Sequence, residues 1–233
     1  MLQTGDGRLS VHAATLAQPQ SPRLAQEVGD IHVRHVAHHE HLFFEGDAQS
    51  YLYEVERGIV CLYKLHSDGR RQIISFCYPG DVIGLGSPDV HFCSAEAMSE
   101  TSVRCIPLGA IKRMVQADAR FGQRLLDVLA TELAASRGQI LRLGRPMAIE
   151  KVASFLISIA RRSSVRNGDG VKLELPMLRA DIADFLGLTL ETVSRTFTKL
   201  KLEGIIELPS SKTVIIRDKA RLENLAEGEC LQA

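Results

Sequence analysis

No apolar run in this 233-residue chain approaches the ~20 residues needed to cross a bilayer, so no membrane partner is expected. The N-terminus, MLQTGDGRLSVHAATLAQPQSPRLAQ, lacks a basic segment followed by an apolar one. It does not read as a secretory signal, and the expected location is the cytoplasm. Net charge is absent too, with 28 basic and 28 acidic residues. Bulk charge therefore announces no nucleic-acid partner, and any basic surface must be local. Cysteines are few: Cys61, Cys77, Cys93, Cys105 and Cys230. Their number is odd and none forms a CxxC pair, so free thiols are expected, with the first four packed in cores. GxGxxG, P-loop, GxSxG and HExxH patterns are all missing, and the chain is not expected to be an enzyme.

What is present is enough apolar material, 45% of residues, to bury a core. Residues 1–28 show no period and read as an arm. Residues 29–117 open with short alternating runs broken by glycine turns, as in a sandwich or barrel. Asp68-Gly69 lies between IVCLYKL and RRQIISF and predicts a two-residue type I′ hairpin turn, with positive φ at both positions. Residues 118–145 then carry a helical period. Leu126, Leu129, Leu133, Ser136, Ile140 and Leu143 follow alternating spacings of three and four, the seam of a helix pair. A helix over 119–144 is about 37 Å long at ~1.5 Å per residue. That is too long to bury against a small β domain, so the seam is read as a homodimer contact. Pro146 marks its end. A small α/β domain (146–227) follows, opening on the amphipathic helix MAIEKVASFLISIARRS and the turn-rich link SSVRNGDGVKLEL. Residues 228–233 form a tail.

Five of the eight histidines fall in HVRHVAHHEH, residues 32–41. On a single strand His39 and His41 face one side while His32 and His38 face the other, with His35 on the first side only if the strand stays regular. One strand cannot gather five imidazoles on a metal, so no metal site is expected.

The informative stretch is RADIADFLGLTLETVSRTFTKLKLEG, residues 179–204. Ile182 and Leu186 face inward on a first helix, Ala183 permits a close helix crossing, and Gly187 supplies the turn. Thr189 can cap a second helix through its hydroxyl. Val193, Phe197 and Leu200 make that helix's buried face, and Glu191, Ser194 and Arg195 a separate exposed one. This is a helix-turn-helix, followed by a hairpin in GIIELPSSKTVIIRD. The exposed trio suits base reading: a guanidinium on guanine, a carboxylate on cytosine N4, a hydroxyl on several bases. Glu191 and Arg195, four residues apart, are expected to hold each other's rotamers. Residues 189–221 hold seven basic and four acidic residues, a local net charge of +3 in a neutral chain. Arg179, Thr189, Thr192, Thr196, Lys199, Lys201, Ser210, Ser211 and Lys212 are the candidates for phosphate contacts.

LFFEGD, GIVCLYKLHSDGRRQIISFCYPGDVIGL, the long helix and DIADFLGLTLETVSRTFTKL occur in an order that resembles the CRP/FNR superfamily of transcription regulators, and its FixK-like subgroup most closely. The resemblance covers nearly the whole chain after the arm. It implies an α+β fold: an N-terminal β-roll of the cyclic-nucleotide-binding jelly-roll type, a long dimerisation helix and a C-terminal winged helix-turn-helix. It implies Glu191, Ser194 and Arg195 as base readers, with Leu190 against a thymine methyl. It further implies palindromes of the TTGAT–N4–ATCAA type, RNA polymerase as a partner, and control of microaerobic respiration, denitrification or nitrogen fixation genes. Two departures limit the carry-over. Leu85 and Cys93 stand where the cyclic-nucleotide branch has a ribose-binding Glu and a phosphate-binding Arg, so no cAMP dependence is expected. Residues 1–60 hold no cysteine, which argues against the iron–sulfur cluster of the oxygen-sensing branch. No cofactor is therefore expected. The alternative is a ligand- or haem-responsive sensor of the same superfamily.

Overall fold

The computed structural model describes Val28 and residues 31–228, apart from 87–88, 146, 164 and 168–169. Residues 1–27 of the expected arm, Pro146, Cys230 and the end of the tail lie outside the described residues, while Val28, expected at the end of the arm, is buried in the cluster that holds Phe121. Eight strands come first: β1 (His32–Val36), β2 (His41–Phe43), β3 (Tyr51–Arg57), β4 (Val60–Leu65), β5 (Arg71–Cys77), β6 (Val82–Ile83), β7 (Ser94–Ala97) and β8 (Thr101–Pro107). They form two antiparallel four-stranded sheets, ordered β1-β8-β3-β6 and β2-β7-β4-β5. Val36, Phe43, Val55, Val60, Ile83 and Val103 fill the space between them. This is the expected β-roll.

Helices α1 (Leu108–Ala117) and α2 (Ala119–Leu143) follow, parted at Asp118, whose carboxylate accepts from the Arg120 N–H at 2.8 Å. One face of α2 packs Phe121 and Val128 against α1 and the roll. The other presents the predicted seam. Leu126, Leu129, Leu133, Ile140 and Leu143 are exposed by 38–69%, and Ser136 is exposed among them.

The C-terminal region comprises α3 (Ala148–Ser163), β9 (Val165–Asn167), β10 (Gly170–Glu174), α4 (Arg179–Leu186), α5 (Leu190–Leu202), β11 (Ile206–Ser210), β12 (Thr213–Ile216) and α6 (Lys219–Glu227). The stretch read as a turn-rich link is instead a pair of strands in a sheet ordered β11-β12-β10-β9. β10 pairs with β12, its residues Val171–Glu174 opposite Ile216–Thr213, and this distant pairing outweighs the local turn composition. One hydrophobic cluster runs from this region into the roll, joining Tyr63, Phe76 and Tyr78 to Phe155 and Phe185. Phe155 is fully buried, its ring 6.4 Å from Phe76 and 5.7 Å from Phe185. Phe155→Ala is expected to cost about 3–5 kcal/mol, read as a lowered urea midpoint. A loss below about 1 kcal/mol would mean that the junction is not packed as described.

Two local readings need correction. The β4–β5 hairpin exists, but its turn is not type I′. Only Gly69 has positive φ, +83°. Its N–H donates to the His66 carbonyl at 2.9 Å, and the His66 N–H donates to the Arg70 carbonyl. That is a type I turn closed by a left-handed glycine, the longer of the common hairpin loops. The histidine stretch is not one strand either: β1 and β2 flank a tight turn in which His39 takes φ +67°. The rings of His38 and His39 stack with centres 3.8 Å apart, and the polar atoms of the stretch reach separate partners. His39 Nδ1 lies 2.6 Å from Glu96, His41 Nε2 lies 2.9 Å from the Tyr63 hydroxyl, and His32 sits edge-on to Tyr51.

Candidate nucleic-acid interface

Helices α4 and α5 meet at a glycine turn. Gly187 caps α4 at φ +63° and ψ +44°, a conformation glycine adopts without a Cβ penalty. The Leu188 N–H returns to the Ala183 carbonyl at 3.0 Å. Thr189 then caps α5, its hydroxyl accepting from the Thr192 N–H at 3.2 Å. Ile182 and Leu186 of α4 and Val193, Phe197 and Leu200 of α5 are buried, so the two helices form one packed unit.

Leu190, Glu191, Ser194 and Arg195 are brought together on the exposed side of α5. The expected Glu191–Arg195 carboxylate pair does not form. Arg195 Nε donates to the Glu191 backbone carbonyl at 3.4 Å, while the Glu191 carboxylate takes its own N–H and the Thr189 hydroxyl. Those hydrogen bonds, with Arg195 nearby, hold the Glu191 carboxyl below its ordinary value and keep it an acceptor further into acid. Thr198 and Leu202 extend the face, one and two turns beyond Ser194, and line a shallow cleft with Ser194, Arg195 and Lys199. Sequence reasoning passed over both, although the spacing of four from Ser194 was available.

The phosphate candidates divide. Thr189, Lys199, Lys201, Ser210, Ser211 and Lys212 are exposed, and Thr192 is half-buried beside the cap. Ser210, Ser211 and Lys212 sit at the turn of the β11–β12 wing, with the Ser210 hydroxyl ordering the turn by accepting from the Lys212 N–H at 3.2 Å. Thr196 must be withdrawn. It is buried, three residues after Val193 on the inward side of α5, and its hydroxyl donates to the Thr192 carbonyl at 2.8 Å. Arg179 is half-buried, its guanidinium 3.5 Å above the Phe197 ring. Burial lowers its pKa to about 10, still a cation at neutral pH, and leaves one terminal nitrogen without a hydrogen-bond partner.

A second concavity, about 360 Å³, lies between the roll and α2. Phe43, Leu62, Ile83, Leu85, Cys93 and Leu133 contribute to its walls, and among the described residues no Lys or Arg lines it. Burial pushes the Cys93 thiol up to about 11 and holds the His91 imidazole below its ordinary value, so neither supplies a charge at neutral pH. Glu132 adds a carboxylate. A cyclic phosphate placed here would meet no cation, so these residues do not fit a cyclic nucleotide.

The β-roll, the long helix and the winged helix-turn-helix together define the class. A Cyclic nucleotide-binding domain model matches residues 33–118 and a Crp-like helix-turn-helix domain model matches residues 150–225. The chain belongs to the CRP/FNR family of transcription regulators. Within it, the chain is 40% identical to the Nitrogen fixation regulation protein FixK of Azorhizobium caulinodans, over 94% of this chain and 89% of that one. It is also 40% identical to the Transcriptional activatory protein AadR of Rhodopseudomonas palustris, over 88% and 82%. The solved structure of FixK2 from Bradyrhizobium japonicum superposes with a TM-score of 0.78 at 38% identity, covering 84% of this chain and 96% of that one.

Proposed function

We propose that this chain is a FixK-like transcription activator that binds TTGAT–N4–ATCAA-type palindromes as a homodimer and contacts RNA polymerase. It acts without cAMP and without an iron–sulfur cluster, in the cytoplasm, on genes of microaerobic respiration, denitrification or nitrogen fixation. The observation that carries this reading is the exposed Leu190, Glu191, Ser194 and Arg195 on a capped helix beside a wing that bears Lys212. The apolar seam on α2 supports a dimer, and a dimer supports a palindrome, because two-fold protein symmetry matches two half-sites one helical turn apart. Of the gene classes, nitrogen fixation is the one supported by the names of similar proteins.

The phosphate assignments predict a specific result. Alanine at Lys199, Lys201 or Lys212 weakens binding to all sequences alike and shallows the log–log salt slope by about one per contact removed. A loss confined to the specific site would move that lysine to base reading. The roll cavity predicts another. Titrating cAMP up to about 1 mM, a weak-binding limit, gives no binding heat and no change in DNA affinity. Saturable heat with a rise in DNA affinity would restore the cyclic-nucleotide mechanism.

A further inference from the structure

Beside the apolar junction, the roll holds the DNA-reading unit by polar contacts centred on Arg71. Arg71, the first residue of β5, is about one-quarter exposed, and its guanidinium reaches α4. Nε donates to the Asp184 carboxylate at 3.0 Å, and a terminal nitrogen donates to the Asp181 carboxylate. The next residue, Gln72, donates its amide to the Asp184 backbone carbonyl at 2.6 Å. Asp181 is 5% exposed and also caps α4, accepting from the Leu178 N–H at 2.7 Å. Without Arg71 its buried charge would keep one backbone N–H and no cation. On the roll side, Glu96 lies 3.9 Å from Arg71 and is itself held by His39. A second strap joins Arg162 of α3 to Asp81 of the β5–β6 turn at 2.6 Å.

We infer that Arg71 is a positioning residue for DNA recognition: it fixes α4, and through it α5, relative to the frame formed by the roll and the long helix. The inference rests on the DNA-binding reading above. Its physical basis is the rigid α4–α5 unit. The Gly187 turn and the buried Ile182, Leu186, Val193 and Phe197 transmit any hold on α4 to the reading face. A dimer reading two half-sites about 34 Å apart needs both units posed at a set separation. A single half-site makes no such demand. Arg71 therefore acts on the geometry of paired recognition, though no part of it belongs to the exposed face of α5.

The test compares wild type and Arg71→Ala on three duplexes: the N4 palindrome, palindromes with the spacer lengthened or shortened by one, and a single half-site. The variant is expected to lose roughly tenfold on the N4 palindrome, the loss of a charged hydrogen-bonded contact. It should also lose much of its preference for N4 over the altered spacers, and to keep half-site affinity within about twofold. Calorimetry supplies a readout without DNA: wild type is expected to unfold in one transition and the variant in two, as the C-terminal unit uncouples from the roll. If Arg71→Ala does not fold, Asp184→Ala removes one of the two carboxylates that Arg71 grips while keeping the Asp181 cap, and a smaller loss of the same spacing preference is expected. Wild-type affinity and spacing preference in a folded variant would overturn the inference. So would an equal loss on palindrome and half-site, which marks a damaged reading unit. A wild-type protein that ignores the palindrome would instead fail the DNA reading itself, and the calorimetric result would then judge the coupling alone.

Discussion

Arg195→Ala is expected to abolish discrimination at one base pair of each half-site while leaving non-specific binding almost unchanged. The side chain is exposed, and among the described residues it donates to a backbone carbonyl at 3.4 Å, so the fold does not depend on it. A guanidinium that donates two hydrogen bonds to a guanine contributes roughly 1–3 kcal/mol of discrimination. Two half-sites double this if they act independently. The measurement is competition between the palindrome and single-base variants at fixed salt. Loss of all preference at one symmetric position, with the others retained, fits base reading. Equal loss on specific and random DNA would make Arg195 a phosphate contact.

Leu126→Asp combined with Ile140→Asp is expected to split the dimer. Both side chains lie on the face of α2 away from Phe121 and Val128, 59% and 69% exposed, so aspartate there costs the protomer little. Across a paired seam it would bury four unpaired carboxylates. Separated protomers lose the gain in effective concentration from engaging both half-sites, on the order of 10²–10⁴ in affinity. Sedimentation should show a monomer, and palindrome affinity should fall to that of a half-site. A variant that sediments as a dimer would place the contact on another surface.

The parts of the molecule legible in the sequence are those specified locally. The Gly187 turn, the Thr189 cap and the inward Val193, Phe197 and Leu200 depend on neighbours within one or two helical turns, so side-chain spacing reveals them. The same holds for the exposed apolar stripe of α2 and for the alternating strands of the roll. What stayed hidden depends on distant partners. The β9–β10 pair looks like a loop until β12 is placed beside it. Arg71 and Asp181 lie 110 residues apart, and neither has a pattern that names the other. Arg179 has the right charge for a phosphate contact, yet it is also seated on Phe197. Thr196 passed as a surface hydroxyl because threonine is tolerated on both faces of a helix. The histidine stretch misled in the other direction, since its composition drew attention while His39 served a turn.

The most direct test is binding of the purified full-length protein, with no added ligand, to a TTGAT–N4–ATCAA duplex and to a scrambled duplex, at one stated salt concentration. The account predicts a dissociation constant of about 10⁻⁸ M or tighter for the palindrome and a preference of at least about 10³ over the scrambled sequence. Adding cAMP should change neither. Binding that appears only with cAMP, or equal affinity for both duplexes, would contradict it.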